Sequence, residues 1–146
     1  MTELVETYRG VVYPWQCDHI GHMNVMWYVG KFDEATWSLF AMLGLTPSYL
    51  RDERRGMAAV DQRIAYQREL RAGDVVAVKS ATLDVGEKVI RFIHEMSNVE
   101  TQEVCAITML TGVHMDTDNR TSCQLPESVI ETARGYIVDY VAPWDS

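Results

Sequence analysis

Hydrophobic residues along the chain first alternate, then recur at spacings of three and four, then alternate again; these changes of period mark out the elements. Residues 7–13 (TYRGVVY) read as a first strand, closed by Pro14. A short loop from Trp15 to Met23 leads into a helical stretch in which Tyr28, Phe32, Ala35, Leu39 and Leu43 fall on one stripe. Thr36 and Phe40 widen that stripe, so the helix is expected to be buried over much of its girth. Asn24 is placed to cap its start, Gly44 to follow its end, and Pro47 forbids continuation. Thr46-Pro47 opens a second, short helix ending near Gly56.

From there the period is two. Val60, Ile64, Tyr66 and Leu70 are expected on one face of residues 57–70. Gly73-Asp74, Gly86-Glu87 and Glu100 to Gln102 read as turns, with strands at 75–83, around Val89 to Met96, and from Cys105 to Met115. In the last of these, Cys105, Ile107, Met109, Thr111, Val113 and Met115 share a face. Short turns between long strands predict sequential antiparallel neighbours. Pro126 opens a modest C-terminal helix through about Tyr136. One strand, a buried helix and four long antiparallel strands make an α+β arrangement, with the sheet long enough to wrap around the helix. Neither repeats nor a linker divide the chain, so residues 1–146 are expected to form one domain. Trp27 and Trp37 fall off the inward stripe and point to an interface or a ligand wall.

Composition narrows the function classes. Thirteen Lys and Arg against 21 Asp and Glu give a net charge of -8, and such a surface repels a nucleic-acid backbone. No apolar run is long enough to span a bilayer, and the opening Met1–Glu6 stretch lacks the basic start of a secretory signal. Three cysteines, Cys17, Cys105 and Cys123, with no close pair fit a reducing compartment, the cytoplasm.

The densest reactive stretch is Cys17-Asp18-His19-Ile20-Gly21-His22-Met23-Asn24, immediately before the buried helix. A helix start carries unpaired N–H groups and partial positive charge, so it can hold a developing oxyanion. A carboxylate beside it suits a general base or a nucleophile. Plainer readings stand beside these: Asp18 as a turn former, His22 as a packing residue, Asn24 as a helix cap, Cys17/His19/His22 as a metal site without an evident fourth ligand.

Asp18, Gly21, His22, Met23, Asn24 and Tyr28, with Phe32, Asp33 and Ala35 after them, resemble the opening of hotdog-fold acyl-CoA thioesterases. The branch is the 4-hydroxybenzoyl-CoA thioesterase-like one. Ile64 to Leu70 (IAYQREL) followed by Gly73-Asp74, and then His94-Glu95 and Gln102-Glu103, extend the resemblance over about residues 7 to 116. It implies a five-stranded antiparallel sheet around a long central helix, a homodimer or homotetramer with sites at the subunit interface, and hydrolysis of acyl-CoA without metal or organic cofactor. It implies Asp18 as the catalytic carboxylate, the Val25 N–H as the group polarising the thioester carbonyl, and His22 as an orienting or catalytic residue. Asn24 and Tyr28 would complete the pocket, Tyr28 also belonging to the core stripe. Two positions depart from the pattern: Val25 stands where some relatives carry Asn or a catalytic His, and Gln16 replaces the first acid of a common Asp-x-Asp pair.

Arg51, Arg54 and Arg55, and separately Arg68 and Arg71, could meet phosphates or simply pair with Asp52, Glu53 and Glu69. His94 and His114 sit in strands and read as structural, and the methionines as core filler or acyl-pocket lining. Two other functions remain open: a non-catalytic hotdog protein binding an acyl-CoA or related ligand, and a hydratase or dehydratase.

Overall fold

The computed structural model describes residues 3–145; Met1, Thr2 and Ser146, the first two belonging to the acidic opening stretch, lie outside the described residues. The long helix α1 (Val25–Leu43) runs for 19 residues. Asn24 caps it by accepting the Met26 N–H, and Gly44 ends it in the left-handed region at φ 103, where a Cβ would strain the backbone. The whole expected stripe is buried, and Lys31 joins it. That lysine was not foreseen as a core residue. Its Nζ donates to the Tyr8 hydroxyl at 3.3 Å and to the Val11 carbonyl at 3.4 Å, and burial lowers its pKa.

Around α1 curls a sheet of five long strands: β1 (Val5–Val11), β2 (Arg55–Tyr66), β3 (Val75–Val85), β4 (Val89–Asn98) and β5 (Val104–Asp116). Their order is β1-β3-β4-β5-β2, every neighbouring pair antiparallel, and a two-residue β6 (Thr121–Ser122) adds to the end of β5. The short α2 (Pro47–Asp52) is capped by Thr46, and α3 (Glu127–Arg134) follows Pro126, stopping short of Tyr136.

Sequential pairing fails at β2. Gly73-Asp74 does not fold β3 back on β2; β2 pairs with β5 instead, and the chain from 67 to 74 crosses to the other edge, beside β1. Backbone bonds fix the crossing. The N–H groups of Gln67 and Arg68 donate to the Cys105 carbonyl, Met23 N–H to Leu70, Gly73 N–H to Val12 and Val12 N–H to Asp74. The Gly-Asp turn therefore serves a β1–β3 pairing between segments distant in sequence, which a reading of adjacent periods does not reveal.

The expected face of β2 also needs correction. Register slips between Ala59 and Asp61, leaving Val60 as an extra residue that is 61% exposed. Met57 and Ala59 before the bulge, and Gln62, Ile64 and Tyr66 after it, lie opposite the residues of β5 that face the helix. Leu70 is fully buried, but in the crossing segment and not in the strand.

Two clusters fill the space between helix and sheet. Tyr28, Phe32 and Ala35 pack with Met23, Leu70, Val76, Val78 and Met96; Leu39, Phe40 and Leu43 pack with Ile90, Phe92, Leu110 and α3. Between them lies His94, fully buried, with its Nε2 2.9 Å from Thr36 Oγ1 and its Nδ1 against Ser80 Oγ. The Thr36 hydroxyl donates to the Phe32 carbonyl, so the histidine donates from Nε2 and accepts at Nδ1. Burial holds its pKa down to about 3. It is a neutral tether between α1, β4 and β3.

The expected Cys105-to-Met115 face of β5 holds from Ile107 onward as the convex side; Cys105 does not belong to it, because a register slip opposite Met96 and Ser97 turns it into the inner cluster with Met23 and Tyr28. The convex face is apolar where the C-terminal segment lies on it. Val138 and Tyr140 cover Ala81, Ile93 and Ile107. Val138 N–H donates to the Thr82 carbonyl, the Tyr140 hydroxyl donates to Glu95, and the Trp144 ring stacks on Arg63 at 4.6 Å.

Candidate active site

The reactive loop is built as a closed turn. A 3-10 turn (Pro14–Gln16) leads into it, Cys17 and Met23 pair across its base, and Gly21 at φ 102 makes the reversal, with the Gly21 N–H donating to the Asp18 carbonyl. Gln16, at the position of the missing acid, is buried. Its Oε1 accepts the Tyr13 N–H and its carbonyl accepts the Asn24 N–H, so its work here is structural.

Asp18 is partly exposed, and both its oxygens are engaged: Oδ1 accepts the Ile20 N–H at 3.0 Å and Oδ2 accepts the Asn24 amide at 2.9 Å. These bonds, the Asn24 amide first, favour the charged form and lower its pKa. Asn24 in turn accepts the Met26 N–H at 3.0 Å. One side chain thus joins the carboxylate to the helix start. Trp27 N–H donates to the Asn24 carbonyl, while the Val25 N–H, first in the helix, meets no acceptor among the described residues.

Beside that N–H is a cavity of about 250 Å³, lined by His22, Met23, Val25, Tyr28, Tyr66, Gln67, Arg68 and Glu69. The crossing segment after β2 forms its outer wall. Tyr28 is buried in the core stripe, donates to the Arg68 carbonyl at 3.1 Å and meets Tyr66 edge-to-face at 5.2 Å. Burial pushes its phenol pKa up to about 12, so it stays neutral. His22 Nε2 lies 3.7 Å from Glu69 Oε1.

Of the five residues singled out from the sequence, His22, Val25 and Tyr28 share this cavity wall. Asn24 stands behind it as cap and bridge. Asp18 lines none of the described cavities; it is tied to the helix start through its bond from the Asn24 amide. Glu69 and Tyr66 were missed as site residues. Their only signal was the stretch Ile64 to Leu70, whose end reaches the helix start through the crossing that the pattern did not predict. Among the described residues no three His, Cys, Asp or Glu are grouped to hold a metal ion. The arginines are paired: Arg51 with Asp52, Arg54 with Asp118, Arg55 with Asp116, Arg68 with Glu103 and Arg71 with Glu69. Trp37 borders a second cavity, and Trp27 packs edge-on against Trp15 at 5.1 Å.

A curled antiparallel sheet around one long helix is the hotdog arrangement of acyl-CoA thioesterases. The chain belongs to the thioesterase-like superfamily, whose family model matches residues 12–132. Solved structures agree on the fold. A Staphylococcus aureus protein described as hypothetical and solved in complex with CoA superposes with a TM-score of 0.89 at 18% identity, covering 99% of this chain and 92% of that one. A 1,4-dihydroxy-2-naphthoyl-CoA thioesterase from Synechocystis superposes with a TM-score of 0.77 at 17% identity, covering 87% and 93%. Among curated proteins none matches the chain. No helix among the described residues is long and apolar enough to cross a membrane.

Proposed function

We propose that the protein hydrolyses acyl-CoA thioesters at the start of α1, with Val25 N–H holding the carbonyl oxygen and Asp18 supplying the carboxylate. The observation that carries this reading is that Val25, whose N–H has no acceptor among the described residues, lines a cavity, next to Asn24, whose side chain ties the first turn of α1 at Met26 N–H to the Asp18 carboxylate. As oxygen negative charge develops on the thioester, an N–H at a helix start stabilises it without reorganisation. Asp18 then acts in one of two balanced ways. It takes a proton from water while the hydroxide adds to the carbonyl carbon; or it adds itself, giving an anhydride that water opens. In either case the C–S bond breaks, the thiolate takes up a proton, and one water is consumed per acid and thiol formed. His22, 3.7 Å from Glu69, orients the carboxylate or the incoming thioester.

The site would be completed by a second copy. Strand β2 pairs on one side only; Val60 on it is exposed, and Trp37 of α1, 44% exposed, borders a cavity with Met57, Ala59 and Gln62 of that strand. A twelve-residue edge with such a border suits pairing of β2 with β2 of a second copy, in a homodimer. Three cysteines free of disulfides are consistent with a cytoplasmic protein.

The absence of Asp18 from the cavity wall favours one other reading, a protein that binds acyl-CoA without hydrolysing it. Thiol release from a panel of acyl-CoAs separates the two. Turnover by the native protein, lost by several orders of magnitude in Asp18→Asn with an unchanged circular dichroism spectrum, is the expected result. CoA binding without any thiol release would leave the ligand-binding reading, and near-native turnover in Asp18→Asn would remove that carboxylate from the chemistry.

A further inference from the structure

The segment that follows α3 spans the convex side of the sheet as a strap, from β3 to β2. It starts along β3: Ile137 bridges Thr82, Thr82 N–H donates to the Tyr136 carbonyl, and Val138 N–H donates back to the Thr82 carbonyl. Tyr140 then reaches Glu95 of β4, and Trp144 reaches Arg63 of β2. We propose that this strap stands in for a second sheet: the face beneath it fits the same face of a second copy of the chain, and the strap limits the assembly by occupying it.

The covered face has the composition of a contact between chains. Ala81, Ile93 and Met109 lie opposite one another on β3, β4 and β5, with Ile107 beside them. On β4, Arg91 and Glu95 stand two residues to either side of Ile93 and point the same way. An apolar centre within a charged border is the anatomy of a protein interface. Without the strap it would be an exposed apolar patch on a flat sheet.

The charges on β4 select the occupant. A two-fold axis lying in the plane of this face, and crossing β4 at Ile93, sets the β4 strands of two copies antiparallel across the seam. Ile93 then meets Ile93, and Arg91 of each copy lies over Glu95 of the other. Within one chain this complementarity is unused. Arg91 forms no ion pair among the described residues and donates to the Met109 sulfur at 3.0 Å. Glu95 accepts the Tyr140 hydroxyl, so the strap's phenol holds the carboxylate that the two-fold contact would give to Arg91.

Strap and second copy exclude each other. Stacked sheets lie about 10 Å apart, the space being filled by one layer of side chains from each. Val138 and Tyr140 occupy that layer over Ala81, Ile93 and Ile107. The contact uses the back of the sheet and leaves the edge of β2 open, so stacking doubles whatever assembly that edge makes.

The test keeps the full chain and loosens the strap with Val138→Ser/Tyr140→Gly, which removes its apolar anchor and its phenol. Amides of residues 139–145 should exchange about tenfold faster or more, and light scattering should find twice the native mass. Adding Arg91→Glu to the loosened protein sets carboxylate against carboxylate across the seam and should return the mass to the native value. Exchanging the pair, Arg91→Glu with Glu95→Arg, should double it again. A circular dichroism spectrum unchanged through the series shows that the sheet itself is intact. Three results overturn the proposal: a native mass while residues 139–145 exchange fast, aggregates without a defined mass, or a doubled mass indifferent to the charge at position 91.

Discussion

Asn24 makes two bonds that can be broken separately. Its Oδ1 caps α1 at Met26 N–H, and its amide donates to Asp18 Oδ2. Asn24→Ala removes both. Loss of the cap costs about 1 kcal/mol, which in a domain of this size lowers Tm by about 3 °C. Loss of the amide removes the first cause of the lowered Asp18 pKa. In the proposed mechanism turnover requires the charged carboxylate, so activity should fall as pH drops through that pKa. Raising the pKa moves the acid limb of kcat/KM to higher pH. Asn24→Asp separates the effects: aspartate caps a helix as well as asparagine does, so Tm should hold at neutral pH. The new carboxylate repels Asp18 in place of donating to it, and the acid limb should move further than in the alanine variant. Thermal melts and pH–rate profiles of the three proteins are the assay. An acid limb that stays in place in both variants while Tm falls in Asn24→Ala would refute the link from helix tip to carboxylate, leaving Asn24 a cap alone.

His94 titrates near 6.5 when unfolded and near 3 when folded, so between those values the unfolded chain holds the extra proton. Its contribution to stability is complete above pH 6.5 and declines below it by up to about 1.4 kcal/mol per pH unit. His94→Gln, able to keep both bonds without titrating, should flatten the decline of urea stability between pH 6.5 and 4 by about one proton; parallel curves would show that His94 is not the group responsible. Val60→Lys places a charge on the open edge of β2, and light scattering should find the homodimer shifted to monomer; an unchanged mass would move the interface elsewhere.

The helix was legible in full because its stripe, its cap and its terminating glycine all agree, from Asn24 to Gly44. The antiparallel strands were legible from their period, but their order was not. Nothing local to Tyr66 or Gly73 tells β2 to leave β3 and lie on β5; that choice is made by the Cys105 and Leu70 carbonyls, distant in sequence from the groups they bind. A single bulged residue, Val60, likewise reverses the parity on which a face assignment depends. The loop from Asp18 to Asn24 announced itself by residue type, and Val25 only through the family resemblance, which places the polarising N–H there. Glu69 did not, because its neighbourhood is created by the crossing segment.

That crossing has a consequence for how the molecule can be divided. The pocket corner at the tip of α1 draws on three stretches of chain, around residues 16–28, 66–70 and 105, each held to another by main-chain hydrogen bonds. A fragment released by a protease ahead of Cys105 would retain every residue proposed to act in thioester cleavage and still lack the carbonyl that fastens Gln67 and Arg68. Such a fragment should be inert, and adding back the missing C-terminal piece should revive it only if β5 can still insert between β4 and β2.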